Sequence, residues 1–92
     1  MIVVRETFIA KPGMASKLAK FFKAEMGRDA KVMTDMTGSF NTVVMEAEYE
    51  NVAAFEKEMQ EFMSQAKTPG DQAKSTYQEM YMHGKREIFR VW

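Results

Sequence analysis

The 92-residue chain contains no cysteine and a single histidine, His83. Without thiols it can form no disulfide, no thiolate metal site and no cysteine nucleophile. One imidazole excludes a multi-histidine metal site within one chain. Asp29, Asp35 and Asp71 are too scattered in sequence to indicate a magnesium site. We therefore expect no bound metal and no cofactor.

The chain also lacks an excess of charge of either sign, since 13 Lys and Arg balance 13 Asp and Glu. Nucleic-acid-binding proteins normally carry a basic surplus, so we expect no nucleic-acid partner. No apolar run approaches the ~18–20 residues of a membrane span. The chain starts directly with Ile2-Val3-Val4 and shows no signal-peptide pattern. We expect no membrane partner, a cytoplasmic location and a single domain over residues 1–92.

Hydrophobic periodicity and turn residues predict seven secondary-structure elements. They are a strand over 2–10, a helix over 13–26, a short strand over 29–37, a strand over 40–49, a helix over 52–66, a shorter helix over 71–83 and a strand over 85–92. This order predicts an α+β fold, in which an antiparallel sheet of the ferredoxin-like split βαβ type carries helices on one face. We expect the last strand beside the first, then the third, with the second at the far edge.

Helices cover one face of such a sheet and leave the other face open. In the strand over 40–49 the odd residues form the better core face. The open face then carries Phe40, Thr42 and Val44, with Arg5, Thr7 and Ile9 beside them; the last strand adds either Ile88 and Trp92 or Phe89 and Val91. Monomers rarely expose an apolar patch of this size.

Covering about 500 Å² of apolar surface per chain contributes on the order of 10 kcal/mol before the cost of association. We therefore expect a homodimer in which two sheets pack face to face across a two-fold axis. The alternative is a monomer that uses this face as a platform for a ligand.

Two segments resemble a known protein family. RETFIAKPG (5–13) and HGKREIFRVW (83–92) are similar to the first strand-to-helix junction and the closing strand of NIPSNAP-like and antibiotic-biosynthesis-monooxygenase-like domains. The resemblance implies a dimeric α+β barrel of two ferredoxin-like subunits. Its members include cofactor-free monooxygenases acting on aromatic or quinol compounds, isomerases and haem-degrading enzymes. The helix-borne histidine of the haem-degrading members has no counterpart in residues 52–66, so we expect no haem.

Histidine is the side chain best suited to general-base catalysis near neutral pH. His83 is therefore a candidate base for a phenol or an enolisable carbon. In the predicted elements it stands at a helix end before Gly84, where it would also cap the last carbonyl groups. Both interpretations remain open from the sequence.

A second set of candidates is charged. If the register of the sheet places them together, Arg5, Glu46, Glu48, Arg86 and Arg90 line one end of the sheet-facing cavity. Glu46 is then an alternative base, and Arg5 or Arg90 stabilises a developing oxyanion. The competing interpretation is a solvated rim or a set of salt bridges between subunits.

Ten methionines form the third signal, and most fit helix stripes or strands as ordinary core residues. Some of them, together with Phe40 and Trp92, are candidates to line a cavity for a flat apolar molecule. The ligand-binding candidates are Phe40, Thr42, Val44, Arg90 and Trp92. The sequence thus predicts a small-molecule-binding dimeric α+β barrel protein. If it is an enzyme, the resemblance implies cofactor-free oxygenation or isomerisation of a small apolar or aromatic compound; the alternative is a non-catalytic binding or dimerisation module.

Overall fold

The computed structural model describes residues 1–25, 29–65 and 78–92. Its elements are β1 (Ile2–Ala10), α1 (Ala15–Glu25), β2 (Lys31–Thr34), β3 (Thr42–Tyr49), α2 (Val52–Gln65) and β4 (Tyr81–Arg90). The four strands form one antiparallel sheet in the order β2-β3-β1-β4. The predicted α+β ferredoxin-like fold and its strand order are confirmed.

The core lies between the sheet and α1. Alternation along a strand sends Val4 and Phe8 of β1 and Val43 and Met45 of β3 to the same face, and all four are buried. The cluster of buried residues comprises Phe8, Ala10, Leu18, Phe22, Ala30, Val43 and Met45. The odd residues of β3 are therefore the core face, as predicted.

The strand predicted over 40–49 begins two residues late. Phe40 and Asn41 have φ angles of 22° and 62°, which interrupt the extended backbone. The Asp35 carboxylate accepts a hydrogen bond from the Thr42 backbone N–H at 3.0 Å. Phe40 consequently lies in the β2–β3 connection, 82% exposed, and belongs to neither sheet face.

The end of the chain differs more from the prediction. Residues 71–77 of the predicted short helix lie outside the described residues, but its predicted end at His83 is wrong because β4 already begins at Tyr81. His83 pairs with Ile9, whereas the next pair along is Ala10 with Tyr81. Met82 is the extra residue of this β-bulge.

Gly84 is required by packing against β1, and not as a helix stop. It lies opposite Phe8, and a Cβ atom at this position would lie 2.7 Å from Cδ1 of the Phe8 ring. That ring is held by Phe22 and Tyr81, with centroid separations of 4.9 and 4.8 Å. A side chain at position 84 would therefore displace a packed core residue.

We expect Gly84→Ala to lower the free energy of unfolding by about 1–3 kcal/mol through overpacking, measured by urea denaturation. Phe8→Leu removes the ring that the new methyl group meets, so Gly84→Ala should cost clearly less in a Phe8→Leu background. Equal costs in both backgrounds would show that this contact is not the cause.

Candidate functional site

The strand register divides the predicted site residues between two faces of the sheet. Residues that pair across antiparallel strands point to the same face, so the pairs of Arg5 with Glu46 and of Ile9 with His83 place these four on the open face. Thr42 and Val44 pair with Ile9 and Thr7 and share that face. We call this surface, opposite the helices, the open face.

Arg86 and Arg90 lie on the other face, since they pair with Glu6 and Ile2. Trp92 follows β4 and is fully exposed, with the Arg90 guanidinium 6.0 Å from its ring centroid. The residues of the predicted charged cluster are therefore divided between the two faces of the sheet. The sequence left open whether the last strand contributes Ile88 or Phe89 to the open face. Phe89 lies on this face, opposite Val3.

On the open face, Arg5 and Glu46 form an ion pair. The Arg5 Nε donates to Glu46 Oε2 at 2.9 Å, and the Arg5 guanidinium also lies 5.2 Å from the Phe89 ring centroid. The carboxylate proposed as a base is therefore already paired with the cation proposed as oxyanion donor. A partly exposed pair of this kind contributes about 0–1 kcal/mol.

His83 is far from Glu46. The two residues lie on strands at either side of β1, and their β1 partners, Ile9 and Arg5, are four residues apart. With about 3.3 Å per residue and 4.8 Å per strand, the Cα atoms are roughly 16 Å apart. Within one chain the structure does not bring these two candidate bases together.

On the helix-covered face, a polar cluster joins Arg86 of the predicted charged set to residues that the sequence reasoning missed. Arg86 donates from a terminal guanidinium nitrogen to Glu6 Oε1 at 3.2 Å. The Glu6 side chain is only 14% exposed, and the Arg86 guanidinium lies 5.1 Å from the Phe55 ring centroid. Glu6 was detectable in the sequence as the one charged residue on a strand face that otherwise carries Val4 and Phe8.

Tyr49 completes this cluster. Its hydroxyl donates to the Glu58 carboxylate, and its ring packs on Phe55 at a centroid separation of 5.3 Å. Burial, followed by the hydrogen bond to Glu58, raises the pKa of Tyr49 well above its ordinary value of 10.0. The phenol therefore remains a proton donor throughout the physiological range.

Two cavities bordered by described residues lie on the helix-covered face, and Glu6 borders both. A volume of about 20 Å³ lies beneath α2, among residues that include Val4, Tyr49 and Phe55; this is room for about one water molecule. An open cavity of about 230 Å³ lies over β1 and β4. We call the latter the helix-side cavity; its lining residues among those described are Glu6, Phe8, Tyr81, Gly84, Lys85 and Arg86.

In the described ranges, no three His, Asp or Glu side chains are grouped so as to hold a metal ion. No helix over these residues is long and apolar enough to cross a membrane.

Comparisons with known proteins agree with the fold. No family model and no curated protein matches the sequence, whereas solved structures match over its whole length. An uncharacterised NIPSNAP domain protein from Burkholderia xenovorans superposes with a TM-score of 0.77 at 18% identity, over 100% of this chain and 95% of its own. A NIPSNAP family protein from Agrobacterium tumefaciens superposes with a TM-score of 0.78 at 13% identity, over 99% of this chain and 92% of its own.

An antibiotic biosynthesis monooxygenase gives a TM-score of 0.69 at 11% identity, over 100% of this chain and 99% of that one. The fold is that of NIPSNAP-like and antibiotic-biosynthesis-monooxygenase-like proteins. At sequence identities below 20%, the similarity shows a shared fold and does not show a shared chemistry. The resemblance found in the sequence is thus confirmed at the level of the fold.

The raised pKa of Tyr49 predicts a loss of stability in alkali. An unfolded tyrosine ionises near pH 10, so the proton held on folded Tyr49 stabilises the fold fully below that pH, and this stabilisation is lost as the pH rises above it. The measurement compares absorbance titrations of the protein and of Tyr49→Phe. We expect the two tyrosinate curves to coincide up to about pH 10, because folded Tyr49 does not ionise there. A component near pH 10 that disappears in Tyr49→Phe would contradict the assignment, provided that circular dichroism shows both proteins folded.

Proposed function

We propose that this chain is a small-molecule-binding protein of the dimeric α+β barrel type, with its ligand in the helix-side cavity. The observation that carries the proposal is the Glu6–Arg86 pair at the border of a cavity lined by Phe8 and Tyr81. Aromatic walls favour a planar apolar molecule, and a small number of convergent polar groups orient it. A mainly apolar ring compound with one acidic or carbonyl oxygen fits this combination.

The same pair supplies the groups for cofactor-free chemistry. A substrate oxygen that takes the place of the Glu6 carboxylate beside Arg86 receives charged N–H donors, which stabilise an oxyanion as it develops. The displaced Glu6 carboxylate is then free to accept a proton from a phenol or an enolisable carbon. Isomerisation, or reaction of the resulting carbanion with dioxygen, follows from that intermediate. Arg5 and Glu46, which occupy the open face, fit contacts between copies better than this role.

The second candidate function is a non-catalytic binding or dimerisation module. The observation in its favour is that Glu6 and Arg86 already satisfy each other at 3.2 Å, so neither charge requires a ligand. In this case the Glu6–Arg86 pair serves only to compensate two charges at the edge of the core.

Native mass spectrometry of the protein as purified separates these candidates. A mass of two chains with a retained small molecule supports the binding protein and identifies the class of ligand. A bare dimer favours the dimerisation module. A monomer at micromolar concentration would overturn the dimeric part of the proposal.

Arg86 is expected to anchor acidic ligands. With hydroxynaphthoate as a fluorescent aromatic acid, we expect Arg86→Met to weaken binding about 10–100-fold, the equivalent of one charged hydrogen bond. Arg5→Met is the matched control, because it removes the same guanidinium from the open face, and it should leave the affinity unchanged. The reverse ranking of the two variants would place the ligand on the open face.

The dimer is expected to form through the open face. Val44→Glu places an unpaired carboxylate among residues that include Thr7 and Met33, so we expect it to give a folded monomer in sedimentation experiments. Val52→Glu is the control, since it makes the same change at an exposed position of α2. A Val44→Glu protein that dimerises as tightly as Val52→Glu would contradict the interface.

A further inference from the structure

Phe55 is the side chain that α2 buries against the sheet. Among the α2 side chains that the structure describes it alone is buried, with 7% exposed. The side-chain oxygen of Asn51 accepts a hydrogen bond from the Ala54 backbone N–H at 2.9 Å. This cap fixes the first turn of the helix, and Phe55 follows directly after Ala54. The cap and the burial together determine where the Phe55 ring lies.

Tyr49 of β3 holds this ring from the sheet. The two ring centroids are 5.3 Å apart. The Tyr49 hydroxyl also donates to the carboxylate of Glu58, which lies three residues after Phe55 and therefore on the same side of the helix. One tyrosine thus contacts two neighbouring residues of α2, and the Phe55 ring is restrained from both the helix and the strand.

The restrained Phe55 ring contacts the one arginine that borders the helix-side cavity. The Arg86 guanidinium lies 5.1 Å from the ring centroid, within the range of a cation–π interaction. Such a contact needs no hydrogen-bond acceptor. Within the described ranges the guanidinium directs one of its five N–H donors to Glu6. Donors therefore remain for a ligand in the helix-side cavity.

The two partners of Arg86 respond differently to a ligand. In the proposed function a ligand oxygen takes the place of the Glu6 carboxylate, so the ion pair that holds Arg86 in the free protein is lost. The Arg86 side chain is 42% exposed, and ordering so long a side chain costs rotamer entropy unless another contact holds it. The Phe55 ring takes no part in the exchange and still holds the guanidinium.

We propose that Phe55 is a positioning residue, which holds the Arg86 guanidinium at the border of the helix-side cavity while an acidic ligand replaces Glu6. The inference rests on the proposed function and deepens it, because it makes α2 part of the site for the charged end of the ligand. The apolar end of the ligand is left to the cavity walls, Phe8 and Tyr81. Phe55 therefore favours charged ligands over neutral ones with the same ring.

A purely structural role of Phe55 has a different signature. If the ring only packs α2 onto the sheet, its loss loosens the helix and weakens every ligand of the cavity alike. If the ring positions Arg86, its loss weakens ligands that use the guanidinium charge and spares those that do not. The ratio of the affinities for a charged and a neutral ligand therefore separates the two roles.

Two fluorescent probes, 2-naphthoate and 2-naphthol, share one ring system and differ in charge at pH 7. Phe55→Leu removes the aromatic ring and keeps an apolar side chain. We expect it to raise the dissociation constant of 2-naphthoate about three- to tenfold and that of 2-naphthol less than about twofold. Phe55→Tyr, which keeps the ring, should restore the affinity for 2-naphthoate. Phe21→Leu makes the same substitution on α1 and is the control that should leave both affinities unchanged.

A double-mutant cycle completes the test. In an Arg86→Met background the guanidinium is absent, so Phe55→Leu should no longer change the affinity for 2-naphthoate. Circular dichroism checks that each variant is folded, and Phe55→Met takes the place of Phe55→Leu if the leucine variant is not.

The outcomes that contradict the inference are distinct from those that contradict the proposed function. Equal losses for both probes, or an undiminished effect of Phe55→Leu in the Arg86→Met background, would overturn the positioning role and leave the proposed function intact. An unaltered protein that binds neither probe would overturn the proposed function, and the positioning role with it.

Discussion

The structure depends on the double pairing of β1. This central strand is hydrogen-bonded to β3 on one side and to β4 on the other, and its register decides the face on which every residue of three strands lies. A shift by one residue would exchange the two faces completely. Packing of Phe8 against Gly84 holds the register toward β4, and the burial of Val43 holds it toward β3.

Because of that register, the charges of the sheet separate into two systems. Glu6 and Arg86 meet on the helix-covered face beside aromatic rings, at the border of the helix-side cavity. Arg5 and Glu46 meet on the opposite face, which the helices do not cover. The two pairs start from adjacent residues of β1, and they lie on opposite faces of the sheet because adjacent side chains of a strand point in opposite directions.

Local pattern was enough to predict the strand order and the core face of β3, since Val43 and Met45 alternate with more polar neighbours. It failed where contacts between elements determine the conformation of the chain. Gly84 resembles a helix stop in sequence, yet its role is to leave room for the Phe8 ring, so the beginning of β4 and the place of His83 were misjudged. Phe40 continues an apolar pattern, but its left-handed backbone removes it from the strand. The sheet face on which Arg90 lies is set by the pairing of β4 with β1, and no local sequence pattern fixes that pairing.

The β-bulge at Met82 has a consequence for the exposed edge of the sheet. β4 forms one edge of the four-stranded sheet, and a ten-residue edge strand is a template for uncontrolled strand addition. The bulge twists one end of this edge, and the consecutive charges of Lys85, Arg86 and Glu87 occupy its middle. Such features disfavour edge-to-edge growth into open-ended ribbons. For the dimer proposed above, this leaves the broad face of the sheet as the contact surface, and a two-fold contact there closes on itself at two chains.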